Sequence, residues 1–590
     1  MNGSGLEARD NLMRQQYAVR SLIIVAGLIF VGLAVIVQII RIQNSEQAKV
    51  FLAQGDRYAG EFRMYYPERG EIYDRNGHLL AGNRTVYEVG VSLNEMEHPD
   101  SMAFILSTYL GLTYEDVHNK LTTSPEAWEY VVVQDYVGVE TVDSLQQLIE
   151  QLNDADDPRL NGLAFKAHLQ RSYPENALAS NVLGFVTRDG RGYFGIEEKY
   201  NDLLAGNPVQ MWVPRDPNKA SEIPKVLNGT TLVLTLNRDL QAQVESILDQ
   251  SLSDYGAQNG TIIVMDPRNG EILAMATTPR MDLNNYGNYF SLYDDGSQYN
   301  RSIGMAYEPG SVIKVLTMAA ALDSGTVRPD TSFIDTGSIE VGGITIRNWN
   351  RDAWGQQNMI GCLQHSLNVC LAWVSSQMGT QTFYSYMERF GIGHPTGIDL
   401  SGEAMGRLKV PGDSDWYPVD LGTNAFGQGI TVTPLQMLMA VSSISNGGKM
   451  VTPHVLYSML RDGHQYNVPS QYAGSPISAE TARTLNEMLA ISLEQESSQA
   501  LLPGYRLVGK TGTAQIPTDY GYDSFHTNAS FIGWGPADDP QFMVYVWLQQ
   551  PSASIWSSET AAPVFSQVAE QTVILLNIPP DIVRSQLTPK

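Results

Sequence analysis

The chain has 590 residues, 43% hydrophobic and 17% charged, a globular composition too long for one ordinary core. Lys plus Arg number 38 against 63 Asp plus Glu, for a formal net charge of -25. A surface of that sign repels phosphate backbones and argues against nucleic acid as a partner.

In chain order, Arg9, Arg14 and Arg20 precede an apolar run over residues 22–40 in which only Gln38 is clearly polar. Such a run is as long as a helix needs to cross the hydrocarbon layer. The following Arg41-Ile42-Gln43-Asn44 offers no small-x-small cleavage site, so an uncleaved anchor is expected rather than a signal peptide. The basic residues before it place residues 1–21 in the cytoplasm and the chain after Arg41 outside the cytoplasmic membrane. Residues 73–78 contain Asn76-Gly77 between apolar stretches, a hairpin signal. Residues 145–152 (LQQLIEQL) read as an amphipathic helix.

A second unit opens at about residue 231. Strand-like runs at 261–265 and 271–275, joined by Asp266-Pro267-Arg268-Asn269-Gly270, predict an antiparallel hairpin. Helices are expected over 311–323, 359–377 and 434–445, and strands over 505–515, 529–534 and 541–548, with 579–590 a loose tail. Strands, then helices, then strands predict an α+β unit in which helices pack around an antiparallel sheet. The two cysteines, Cys362 and Cys370, fall in the stretch 359–377. On one helix, eight residues at about 1.5 Å rise put them roughly 12 Å apart. A disulfide needs Cα atoms within about 7 Å, so two buried thiols are expected.

Three short motifs stand in order within the second unit. In Pro309-Gly310-Ser311-Val312-Ile313-Lys314, Pro-Gly before an apolar-periodic run is a helix start. Ser311 and Lys314 are then i and i+3, on one face. A serine hydroxyl needs a base to become a nucleophile, and a lysine can be that base if burial or a nearby cation lowers its pKa. Ser366-Leu367-Asn368 supplies a hydroxyl that can relay a proton and an amide that can hold a peptide. Lys510-Thr511-Gly512-Thr513 puts a cation and two hydroxyls on a strand beside a glycine that permits close approach, a suitable seat for a carboxylate. Singly, each motif reads as a solvated helix, a helix cap or an edge strand. Together, and in this order, they form the set of active-serine penicillin-recognising enzymes. The nine histidines form no metal-ligand cluster, and neither a metal nor a cofactor is implied. His365, at i-1 to Ser366, is expected on another face.

With these residues the chain resembles a class B penicillin-binding protein, the monofunctional peptidoglycan D,D-transpeptidase of bacterial walls. Arg69-Gly70-Glu71-Ile72-Tyr73-Asp74-Arg75-Asn76-Gly77, then Arg171-Ser172-Tyr173-Pro174 with Leu183-Gly184, then Gly195-Ile196-Glu197-Glu198-Lys199-Tyr200 with Leu203 and Gly206, are similar to the three pedestal motifs of that family. Gly427-Gln428-Gly429, Thr433-Pro434-Leu435-Gln436 and Ala561-Ala562-Pro563-Val564-Phe565 match its transpeptidase domain. The resemblance implies a cytoplasmic tail (1–21), a single transmembrane helix (22–40), an elongated pedestal or dimerisation domain (41–230), a transpeptidase domain (231–578) and a C-terminal tail (579–590), with no glycosyltransferase domain before the pedestal. It further implies that Ser311 attacks the D-Ala-D-Ala carbonyl of a stem peptide and that Lys314 accepts its proton. Ser366 would pass a proton to the departing D-alanine, Asn368 would hold the peptide, and Lys510 would set the electrostatics. Thr511, Gly512 and Thr513 would bind the substrate, the hydroxyls on its terminal carboxylate. The N–H groups of Ser311 and Thr513 would form the oxyanion hole. β-Lactams would be trapped on Ser311, and a polytopic glycan polymerase is the implied partner. Leu367 stands where β-lactamases have aspartate, and Asn237 where the family often has aspartate, a change expected to be structural. The alternatives are a D,D-carboxypeptidase or β-lactamase, in which water is the acceptor, and a non-enzymatic β-lactam sensor or scaffold.

Overall fold

The structure, a computed structural model, describes residues 4–46, 48–49, 60–123, 129–214, 226–294, 296–495, 499–518 and 521–587. Positions 588–590 of the expected tail and 215–225 of the expected pedestal lie outside them. Contacts divide the chain into two units, one of residues 1–67 with 207–227 and the other of 68–206 with 228–590. The first holds the helix Ser4–Gln43, within which Tyr17–Gln43 has a mean hydropathy of 3.0 and no burial. It also holds the antiparallel pair Gly60–Tyr65 and Val209–Pro214.

The second unit opens with β1 (Ile72–Tyr73), β2 (Leu79–Ser92), β3 (Tyr130–Gly138), α1 (Val139–Asp154), β4 (Leu163–Ser172) and β5 (Thr231–Leu234). The expected Asn-Gly turn joins β1 to β2, with Gly77 at φ +87, the left-handed region where a glycine is unstrained. Asp74, fully buried, accepts from the N–H groups of Asn76 and His78 and from Arg238 N–H. The expected amphipathic helix lies inside α1, which buries Val142, Leu145 and Leu152. β5 pairs with β1 and with the strand Leu456–Arg461, so one sheet runs through the position expected to divide two domains.

The residues resembling the three pedestal motifs meet at one carboxylate. Glu197, fully buried, accepts from Arg69 Nε at 2.8 Å, from Arg171 Nε at 2.7 Å and from the Tyr173 hydroxyl at 3.2 Å. Two guanidinium groups on one buried carboxylate satisfy the rule that a buried charge must be paired.

After α2 (Arg238–Tyr255), which Asn237 caps by accepting from Asp239 and Leu240 N–H, come β6 (Asn259–Met265) and β7 (Ile272–Thr277), the expected hairpin. Helices α3 (Lys314–Asp323), α4 (Met359–Gln364), α5 (Asn368–Met378) and α6 (Pro434–Ser445) follow, then strands β8 (Val508–Thr518), β9 (Gly521–Gly535) and β10 (Phe542–Gln549), and α7 (Ala561–Leu575). The antiparallel sheet has the order β7-β6-β10-β9-β8. Successive residues of a strand face opposite sides. Ile262 and Val264 join the cluster of Leu240, Val244 and Phe565, whereas Ile263 and Met265 join that of Val312 and Leu438. Buried on both faces, these strands read as continuous apolar runs.

Three expectations need correction. The stretch 359–377 is two helices, broken at Ser366, which takes φ +50. The chain reverses there, so the Cys362 and Cys370 Cα atoms lie 6.0 Å apart and the cysteines form a disulfide. The buried thiols expected from a continuous helix do not exist. The C-terminal segment is also no loose tail as far as it is described: Asp581–Leu587 is helical, and Arg584 pairs with Asp581 and Asp538.

Candidate active site

Ser311 lies in a tight 3-10 turn, Gly310–Ile313, that runs straight into α3. Gly310 sits at φ +57, and a Cβ there would come within 2.8 Å of Thr513 O. The absence of a side chain lets the Ser311 turn touch β8. Gly512 serves the same approach from the strand, since its Cβ would meet Ser530 Oγ at 2.4 Å and Val312 Cγ1 at 2.8 Å.

At the first residue of α3, Lys314 is fully buried. Its Nζ donates to Ser366 O at 2.6 Å, Asn368 Oδ1 at 2.8 Å and Ser366 Oγ at 3.1 Å. Burial first, and then the positive charge of Lys510, hold its amine well below the ordinary lysine value. A lysine so placed is a base for part of the pH range in which a free lysine is an acid. Ser311 Oγ is not among the acceptors of Nζ in the described residues, and such contacts commonly tighten only when substrate binds.

Ser366 and Asn368 reach Lys314 because of the break between α4 and α5. Leu367 N–H donates to Cys362 O at 3.0 Å, and the Cys362–Cys370 disulfide closes the loop that holds both residues. From the opposite wall, Lys510 Nζ donates to the same Ser366 Oγ at 3.1 Å. The Ser366 hydroxyl therefore stands between two lysines. On β8, Thr513 Oγ1 lies 2.8 Å from Ser557 Oγ, which donates to Gly512 O at 2.5 Å.

A cleft of about 960 Å³ is lined by Ser311, Ser366, Asn368, Lys510, Thr511 and Thr513, with Lys314 and Gly512 packed behind it. The structure thus gathers residues from three distant stretches of the chain. It also brings in residues that the sequence did not single out. Ser557 had no signal, being one serine of a Ser-rich loop. Trp349 and Trp556 meet edge to face at 5.0 Å on the cleft wall, and Glu308, just before Pro309, lines the same space. His365, expected on another face than Ser366, instead lines the same cleft, stacked on Trp354 at 4.2 Å between centroids.

The chain is similar to known proteins over most of its length. Residues 260–570 match the model of the penicillin binding protein transpeptidase domain, and residues 64–221 that of the penicillin-binding protein dimerisation domain. Stage V sporulation protein D of Bacillus subtilis is 32% identical over 88% of this chain and 79% of its own length. Peptidoglycan D,D-transpeptidase MrdA of Acinetobacter baumannii is 28% identical over 85% of this chain and 80% of its own. Among solved structures, penicillin binding protein 3 of Mycobacterium tuberculosis complexed with aztreonam superposes with a TM-score of 0.67, at 25% identity, over 88% of this chain and 98% of its own.

Proposed function

The chain belongs to the penicillin-binding protein transpeptidases, and from that premise we propose that it cross-links peptidoglycan stem peptides through an acyl-enzyme on Ser311. The observation that carries this reading is the buried Lys314 amine held against Ser366 and Asn368, beside an accessible cleft that contains Ser311.

In acylation, Ser311 Oγ attacks the carbonyl of the penultimate D-alanine while Lys314 takes its proton. The carbonyl oxygen becomes an oxyanion beside the N–H groups of Ser311 and Thr513. The C–N bond then breaks, and the Ser366 hydroxyl, bonded by both lysines, relays a proton to the amine of the departing D-alanine. Asn368 holds the stem peptide, and Thr511 and Thr513, with Lys510 beside them, hold its terminal carboxylate. An amine of a second stem peptide attacks the ester, gives up its proton, and returns Ser311 to its hydroxyl form. A β-lactam follows the first half of this path, but its leaving group stays tethered. The amide it opens is in its own ring.

The apolar helix anchors the chain in the cytoplasmic membrane. Residues 1–21 lie in the cytoplasm and the catalytic unit outside, as the preceding arginines favour. A polytopic glycan polymerase supplies the strands that are joined. Intact-mass analysis after treatment with penicillin tests the central claim: a persistent one-drug adduct on the native chain and none on Ser311→Ala are expected. An adduct lost within seconds would replace the transpeptidase with a hydrolase, and an adduct on Ser311→Ala would remove Ser311 from its role.

A further inference from the structure

The mechanism above leaves unused a carboxylate three residues before the nucleophile. Glu308 lines the cleft, and its Oε1 accepts from Gly429 N–H at 2.9 Å and from the Tyr522 hydroxyl at 3.2 Å. Its Oε2 is buried and has no partner among the described residues. Packing alone disfavours such a group beside a reactive serine, since a buried acceptor without a donor is costly.

The two donors come from the two segments that frame the Ser311 turn. Gly429 belongs to 427–432, which is already laid against the turn. Tyr307 and Val432 exchange backbone hydrogen bonds at 2.9 Å, and Gly310 N–H donates to Gly427 O at 3.1 Å. A Cβ on Gly427 would lie 2.1 Å from Gly310 O, so this contact is backbone on backbone. Tyr522 is the second residue of β9, whose pairing with β8 places Thr513 opposite Ala529. Gln428 Nε2 and Gln515 Oε1, at 3.4 Å, join the same two segments nearby. Glu308 is therefore the side chain in which the nucleophile turn, the 427–432 segment and the β8–β9 hairpin are joined.

We propose that Glu308 is a positioning residue for acylation: its carboxylate pins the Ser311 turn to Gly429 and Tyr522, and so fixes the gap between the Ser311 and Thr513 N–H groups. This rests on the reading of Ser311 as nucleophile. The oxyanion forms between two N–H groups on different elements, one on the turn and one on β8, and donors of this kind act only when held in place before the charge develops. Burial raises the Glu308 carboxyl above its usual range, in keeping with a group held for its contacts and not for solvation.

The test is the acylation of the full-length protein by a fluorescent penicillin, resolved into an affinity constant and a first-order acylation rate, with a melting midpoint for each variant. Glu308→Ala is expected to slow the first-order step by about 10- to 100-fold, the loss of hydrogen bonds to a charged group, with little change in affinity. Glu308→Gln keeps an oxygen for both donors and is expected to stay near the native rate. Tyr522→Phe should fall between them, and the double variant Glu308→Ala/Tyr522→Phe should be no slower than Glu308→Ala alone. A native rate in Glu308→Ala, a loss confined to affinity, or losses that add in the double variant would each overturn the proposal. Should Glu308→Ala fail to fold, Tyr522→Phe decides, and a native first-order rate there overturns it. Absence of labelling in the native protein would instead overturn the Ser311 reading, and this proposal with it.

Discussion

Lys314 shows how one side chain acquires chemistry that its sequence neighbours cannot supply. Among the described residues its amine has no carboxylate against it; it bonds a carbonyl, an amide oxygen and a hydroxyl, with the cation Lys510 near enough to lower its pKa. The folded-state value is depressed, so the base form is present above it and is lost as pH falls through it. Acylation by penicillin is expected to decline along the same limb, because the protonated amine cannot take the Ser311 proton. A rate that stays flat as pH is lowered would count against Lys314 as the base. Lys314→Arg, charged at every accessible pH, is expected to lose about 10²- to 10⁴-fold in acylation rate at all pH values, the usual contribution of a general base.

Among the elements, the α4–α5 break matters most for the site. Ser366 adopts a left-handed conformation that a non-glycine residue avoids at a cost of order 1–3 kcal/mol, and the Cys362–Cys370 disulfide encloses it. Replacing both cysteines with serine is expected to destabilise the protein by roughly 2–4 kcal/mol, the typical worth of a disulfide, and to slow acylation. Reduction of the native protein with dithiothreitol should have the same two effects. A double Cys→Ser variant with native acylation would mean that the helix packing alone holds Ser366 and Asn368. The strand side makes a matching prediction. Gly512→Ala, which would place a methyl 2.8 Å from Val312 Cγ1 of the turn, is expected to push β8 away from the Ser311 turn. Its acylation rate should fall more than its melting midpoint, and the reverse order would show that the contact serves stability only.

Over the whole molecule, the second unit is held together by side chains from distant stretches of the sequence. Glu197 joins Arg69 and Arg171 at a buried point. Removing it would leave two guanidinium groups without their carboxylate, and Glu197→Ala is expected to cost about 3–5 kcal/mol. Thermal unfolding checks this, and a shift of less than a few degrees would mean that water replaces the carboxylate there. The continuity of the first sheet from β1 through β5 to Leu456–Arg461 predicts that such a loss is felt as one cooperative transition with the residues of the cleft.

Much of this was legible before any coordinates. The long apolar N-terminal helix, the β1–β2 and β6–β7 hairpins, the amphipathic α1 and the run of strands at the end follow from hydrophobic period, turn residues and length, which are local properties. Ser311, Lys314, Ser366, Asn368, Lys510, Thr511, Gly512 and Thr513 could be singled out by type and order, because acyl transfer needs a nucleophile, a base and a seat for a carboxylate. What sequence could not contain was the reversal at Ser366. A helical pattern continues through 359–377, and only packing against Lys314 and its surroundings selects the break that brings the cysteines within bonding distance. Nor did spacing reveal that Lys314 and Lys510 share the Ser366 hydroxyl, that Glu197 gathers three separate motifs, or that Glu308 faces Gly429 and Tyr522. Those relations join residues far apart in the chain, and they come into being only when the core closes and leaves each buried charge to find its partner.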